Sequence, residues 1–206
     1  MSAVTVSTAP PARQKRRAWR GRVLAALAAV LGLFLFGDGL YVKAKAGLAQ
    51  VLLERAWSET LQTGAPVRPW GWIDTWPVAK VSVPRLNRSA VVLHGTSGQA
   101  MAFGPGLMSA GPQPGAPGLA IMSAHRDTHF RFLKDLERGD EIQVDTADGR
   151  THAFRIIDFK IVDADRSGLS FEQDEALIAL TTCWPFNSVQ VGKKRFVAIG
   201  RLISSS

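Results

Sequence analysis

Apolar positions along this chain follow two regimes. Residues 23–36 (VLAALAAVLGLFLF) run for fourteen positions with nothing more polar than glycine, and Asp38 is the one charged residue between 23 and 42. A helix rising about 1.5 Å per residue over 23–42 reaches about 30 Å, enough to cross the hydrocarbon core of a bilayer. In 43–62 the apolar residues Leu48, Val51, Leu52, Ala56 and Leu61 recur at a spacing that predicts an amphipathic helix continuing from the span. Thr63-Gly64-Ala65-Pro66 stops it. Beyond residue 66 the pattern shortens to strand-length apolar runs at 80–84, 90–93, 118–123, 141–146, 151–158, 159–162, 176–182 and 195–203. Asp148-Gly149 is a strong hairpin turn, 104–118 is a loop dense in glycine and proline, and 130–136 is one short helical stretch. Residues 69–77 (PWGWIDTWP) hold three of the six tryptophans, whose rings are expected to cover the entry to the core. About eight short strands with little helix predict an all-β fold closed into a barrel.

Charge divides the chain in the same way. The net charge of +8 would suggest a nucleic-acid partner. Yet six of the 25 basic side chains (Arg13, Lys15, Arg16, Arg17, Arg20 and Arg22) lie in the first 22 residues, which contain no acidic residue. The other 19 face 17 acidic side chains, so the folded part is nearly neutral and no nucleic-acid partner is expected. The expected organisation is a basic cytoplasmic tail 1–22, a transmembrane anchor 23–42 and a juxtamembrane helix and linker 43–65, followed by an exported domain 66–206. Basic residues ahead of the span place the N-terminus in the cytoplasm and the domain outside, with Trp19 and Tyr41 as interfacial aromatics. The competing reading is a cleaved signal peptide ending at Ala44-Lys45-Ala46. Asp38 and Lys43 make that cleavage region long, and both readings export the domain.

Cys183 is the single cysteine, so in an exported protein it is either packing or a reactive thiol. It ends the apolar run 176–182 and opens onto Trp184-Pro185-Phe186-Asn187, where a regular strand must stop. A thiol at a barrel rim is presented outward. A cysteine nucleophile needs a proton acceptor and a donor for the developing oxyanion. Among His94, His125, His129 and His152, His125 directly follows the buried run 118–123 and is held by a rigid sheet. His152 is read as a surface or packing residue, and nothing distinguishes His94. Arg195 begins the last strand, which lies beside the cysteine strand if the two form a hairpin around 184–194. Its guanidinium can bind a carbonyl or an oxyanion at any working pH. His125 and His129 have the spacing of metal ligands on a helix, but Asp127-Thr128 replaces the Glu-x of a metalloprotease and no third ligand is evident. No metal or other cofactor is expected.

Leu180-Thr181-Thr182-Cys183, the following Arg195-Phe196-Val197 and the upstream Ala124-His125-Arg126-Asp127-Thr128 together resemble the sortases, whose signature is TLxTC with a later arginine and an earlier histidine. Residues 69–77 and Phe103-Gly104-Pro105-Gly106 look like the Gram-negative sortases, also called class GN or the marine proteobacterial type. The first threonine of the signature is Ala179 here, and the glycine usual before the histidine is Ala124. The resemblance covers about residues 66–203 and implies an eight-stranded sortase barrel with short helices. It implies a cysteine transpeptidase that cleaves an LPxTG-like C-terminal sorting signal through a thioacyl-enzyme on Cys183, with His125 as acid and base and Arg195 on the oxyanion. Thr181, Thr182 and Asp127 stand inside the matching motifs as substrate-binding or supporting residues. The implied partners are a surface protein bearing the signal, an acceptor that is peptidoglycan, another amine or water, and the lipid of the inner membrane, with the domain on the periplasmic side. An L,D-transpeptidase places its cysteine in Ser-His-Gly-Cys near its histidine, whereas 58 positions separate His125 from Cys183. A non-catalytic tethered β module binding through its tryptophan face is the other alternative.

Overall fold

The computed structural model describes residues 12–188 and 192–206. The first eleven residues of the basic tail and positions 189–191 of the 184–194 loop lie outside them. Contacts divide the chain into two units, separated between Gly47 and Leu48. Helix α1, Ala12–Thr63, supplies the first unit and the opening of the second. Within the first, Leu24, Leu27, Val30, Leu33, Phe34 and Phe36 are exposed, covering every side of the helix. Such a surface suits lipid rather than water, and the helix is long and apolar enough to span a membrane.

In the second unit eight strands close a barrel: β1 Pro77–Val83, β2 Arg88–His94, β3 Gly106–Leu107, β4 Gly118–Ser123, β5 Glu141–Thr146, β6 Thr151–Asp163, β7 Ala176–Cys183 and β8 Lys194–Ser205. Their order around it is β1-β2-β3-β4-β7-β8-β6-β5, with β5 returning to β1. The pairs β2–β3 and β4–β7 are parallel, and the rest antiparallel. Alternation sets the faces: Val81, Val83, Met122, Ile142, Val144, Phe154, Ile178 and Leu180 point inward into one continuous core. Phe130 and Leu133, from the segment around the 3-10 helix Arg131–Asp135, plug it.

Two readings of the sequence are corrected here. The stretch 104–118 is not all loop, because Gly106–Leu107 forms β3, the link between β2 and β4. Two residues carry no periodicity, so no pattern announces this strand. Its glycine is required, since a Cβ on Gly106 would lie 2.1 Å from the Gly95 carbonyl oxygen. Likewise 151–158 and 159–162 are one strand, β6, bulged between Ile156 and Asp158 where its alternation slips.

The face of the helix over 48–63 also differs from the expected one. Ala49, Leu53, Ala56, Trp57 and Thr60 are buried, while Leu48, Val51 and Leu61 are exposed. Leu53 packs with Leu93 and Ala100 beneath Trp70 and Phe103, and Gln50 Nε2 donates to the Phe103 carbonyl at 2.8 Å. Lys80 pairs with Glu54 at 2.9 Å. This last part of α1 therefore belongs to the folded unit. Leu53→Ala is expected to cost about 2–5 kcal/mol in denaturant unfolding. A chain beginning at residue 66 should lose more, seen as a lower Tm than one beginning at residue 48.

Asp140 closes the turn before β5. It is buried, accepts from Arg85 Nη2 at 2.7 Å and from the Glu137 amide at 2.8 Å. The hydrogen bond from Arg85 holds its carboxyl below the usual aspartate range, against the opposing effect of burial. A lowered folded pKa contributes stability that is full above the unfolded value of about 4 and lost as pH falls through the folded value. Asp140→Asn should therefore be less stable than the parent at neutral pH. The gap should narrow in acid, as checked by denaturant melts at both pH values.

Candidate active site

Strand parity decides which side chains meet at the rim. In β7, Ile178, Leu180 and Thr182 face the core, so Ala179, Thr181 and Cys183 face outward. On β8 the residues opposite are Ile199, Val197 and Arg195, and Cys183 pairs directly with Arg195. On the other side β4 runs parallel, with Ser123 beside Thr181. Their hydroxyls lie 2.6 Å apart. The ladder extends one step past β4: the Ala124 amide donates to the Thr181 carbonyl at 3.2 Å, and Thr182 Oγ1 donates to the Ala124 carbonyl at 2.7 Å. Ala124 turns into the core, so His125 emerges on the outer face beside the Cys183 end of β7, where it is exposed.

Three elements thus deliver Cys183, Arg195 and His125 to one end of the barrel. Cys183 is a free, half-exposed thiol. Arg195 Nη1 donates to the carbonyls of Gly192 and Lys194 at 2.9 and 3.0 Å, which fixes that edge of the guanidinium to the loop. Nε and Nη2 make no further hydrogen bond among the described residues. Both threonines are buried, Thr181 on the outer face in the groove lining and Thr182 with its hydroxyl committed to the turn that carries His125. Asp127 stands apart: it is exposed and makes no hydrogen bond or ion pair among the described residues.

A groove of about 320 Å³ leads along this face, lined by Ile121, Ser123, Thr181, Arg195, Val197 and Phe171. Ile121 and Val197 join it to the second apolar cluster, which also holds Leu119, Ala179 and Ile199 outside the barrel core. Its far wall is the loop after β6, where Leu169 and Phe171 pack and the Phe171 carbonyl accepts from the Leu119 amide at 3.0 Å. A largely apolar channel lined by the guanidinium that stands opposite Cys183 can hold an extended peptide and present one carbonyl for attack.

The other histidines separate from this group. His94 stacks on Trp76 with centroids 4.3 Å apart. His152 is a packing residue, buried, with Nδ1 2.8 Å from Ser205 Oγ. Its ring lies over Gly115, whose φ is +92° and where a Cβ would sit 2.3 Å from the ring. His129 is half-buried, and burial, then the nearby His125, hold it below the usual histidine range. Sequence reasoning missed Ser123 and Arg126. Ser123 was detectable, two residues before His125 and so on its face. Arg126 gave no signal; its Nη1 donates to the Pro185 carbonyl at 2.9 Å and its Nη2 to that of Ser188, fastening the loop after Cys183 to the segment after His125.

A family model described as the sortase domain matches residues 81–203. Sortase D of Bacillus subtilis (strain 168) is 29% identical over 125 residues, which are 60% of this chain and 63% of that protein. The chain thus spans less than two thirds of that relative's length. Among solved structures, a Clostridium perfringens sortase D5 transpeptidase superposes with a TM-score of 0.62 at 19% identity, covering 77% of this chain and 99% of that one. Sortase A from Corynebacterium diphtheriae gives 0.57 at 21% identity, covering 65% and 63%. At such identities these two likenesses show a shared fold.

Proposed function

Because the chain belongs to the sortase family, we propose that it is a membrane-anchored cysteine transpeptidase of the Gram-negative type, acting on an LPxTG-like C-terminal sorting signal on the periplasmic side. The observation that carries this reading is the direct cross-strand pairing of Cys183 with Arg195 at the end of an apolar groove, beside the turn that presents His125. The peptide lies in the groove with its scissile carbonyl at Cys183. The thiolate attacks, the S–C bond forms and the carbonyl oxygen becomes an oxyanion facing Arg195. As the C–N bond breaks, His125 gives a proton to the departing amine, leaving a thioester on Cys183. An incoming amine or water then loses a proton to His125 and attacks the thioester, and the thiolate departs. Covalent transfer divides one difficult step into two easier ones. Thr181 and Thr182 act in support, one along the groove and the other by holding the turn before His125. Asp127 is assigned to substrate contact from the solvent side. The residues before the span form the cytoplasmic tail, 23–42 the anchor, 43–65 the juxtamembrane helix and linker, and 66–206 the catalytic domain, a division drawn by function rather than by packing.

The test uses the full-length protein in detergent micelles with LPxTG-like peptides and an amine acceptor. Intact-mass measurement should find an acyl adduct on Cys183 that clears when the amine is added. Failure to form an adduct with any peptide, with the thiol intact, would favour the non-catalytic tethered module instead.

A further inference from the structure

Beyond His125 the surface changes from apolar to cationic. Two adjoining hollows flank the segment 126–135. One, of about 430 Å³, is lined by Arg88, His129, Arg131, Lys134 and Asp135 among others, and the second, of about 320 Å³, by Arg126, Asp127, Arg131, Lys134 and Asn187. They share Arg131 and Lys134, three apart on a 3-10 helix and therefore eclipsed on one side. Neither hollow shares a lining residue with the groove except through the chain itself, which runs from Ser123 in the groove past His125 to Arg126.

Several cations elsewhere on this unit are matched: Lys80 with Glu54, Arg85 with Asp140, Arg138 with Asp158, Arg150 with Asp148 and Arg201 with Glu175. Arg88, Arg131 and Lys134 are not. Among the described residues none of the three makes an ion pair or a side-chain hydrogen bond, although all are exposed and close to one another. With Arg126 they set four positive charges against Asp127 and Asp135. His129 adds none at neutral pH, because burial and His125 disfavour its charged form. A recess of net positive charge beside the segment that carries His125 concentrates anions there.

The chemistry of acyl transfer says which part of the substrate meets this recess. The acyl chain occupies the groove on one side of Cys183, so the amine departs on the other. An incoming amine must retrace the path of the departing one, so a single subsite serves both. We infer that the hollows around Arg88, Arg131 and Lys134 form an anion subsite on the amine side of the reaction, selecting a carboxylate close to the reacting nitrogen. That carboxylate comes from an acidic residue following the scissile bond or from the acceptor. This inference rests on the transpeptidase reading above.

The full-length protein in micelles is acylated with LPxTG-like peptides carrying Asp, Asn or Lys after the cleaved residue pair, and the rate of adduct formation on Cys183 is read by intact mass. In a second arm, the preformed acyl-enzyme is partitioned between glycyl-glutamate and glycinamide. The carboxylate-bearing partner should be favoured about fivefold to tenfold at low ionic strength in the arm that holds the true source, since each exposed charge contact contributes modestly. The preference should shrink with added salt and approach unity in the Arg131→Gln/Lys134→Gln double variant. Adducts without a preference in either arm, or a preference unchanged in the double variant, overturn the subsite alone. No adduct with any peptide overturns the reaction, and this subsite with it.

Discussion

Cys183→Ala is expected to abolish the acyl adduct and lower peptide turnover by about a thousandfold or more, the loss that follows when a covalent nucleophile is removed. The structural cost should be small. Cys183 is half-exposed at the last position of β7, its side chain lies outside the barrel core, and its backbone stays in the β8 ladder whatever the side chain. A shift in unfolding free energy within about 0.5 kcal/mol is expected, typical of surface positions. Activity and stability therefore separate in this variant, which is what distinguishes a nucleophile from a packing thiol. Turnover retained in Cys183→Ala would remove the thioacyl mechanism. Cys183→Ser adds a second check, because a hydroxyl beside the same His125 and Arg195 preserves shape while losing the more nucleophilic sulfur. It should bind peptide and form no thioester.

The reason so much of this arrangement could be read from residues alone is strand parity. Once 176–182 is a strand with Leu180 inward, Thr181 and Cys183 must share the opposite face. A hairpin to 195–203 then brings Arg195 opposite the thiol without any knowledge of the loop between. The parallel neighbour β4 was not deducible in register, since its pairing with β7 crosses the segment 124–175 and no local pattern spans that distance. β3 was invisible because two residues in a glycine-rich loop have no period. The helix face over 48–63 went wrong because a leucine count weights Leu48, Val51 and Leu61 as heavily as Leu53. The ring of Trp57 and the small Ala49 and Ala56 decide which side can approach the sheet. The tryptophans divide likewise. Trp70 packs on the Leu53 cluster, edge-on to Phe103 at 4.9 Å, whereas Trp76 stacks on His94 and Trp72 is 80% exposed. Hydrophobicity predicts burial only where a partner surface exists.

Arg195→Lys should be nearly as damaging as loss of the charge itself, lowering kcat by about a hundredfold to a thousandfold, the range for removing an oxyanion donor. The guanidinium has two edges with separate tasks. Nη1 is already engaged with the carbonyls of Gly192 and Lys194, so the side chain is held in place before substrate arrives. In the proposed reaction Nε and Nη2 would meet the carbonyl oxygen as it becomes an oxyanion above Cys183, the residue opposite on β7. A planar fork can anchor and donate at once, whereas an ammonium group is a point donor that must give up one task for the other. Lysine reaching the Gly192 carbonyl would leave the oxyanion unattended, and lysine reaching the oxyanion would do so from an unanchored chain. The two cases differ in measurement. If Arg195 acts mainly on the transition state, kcat for acylation falls while KM changes little. If it only binds the ground-state peptide, KM rises and kcat holds, and the oxyanion role must pass to another donor.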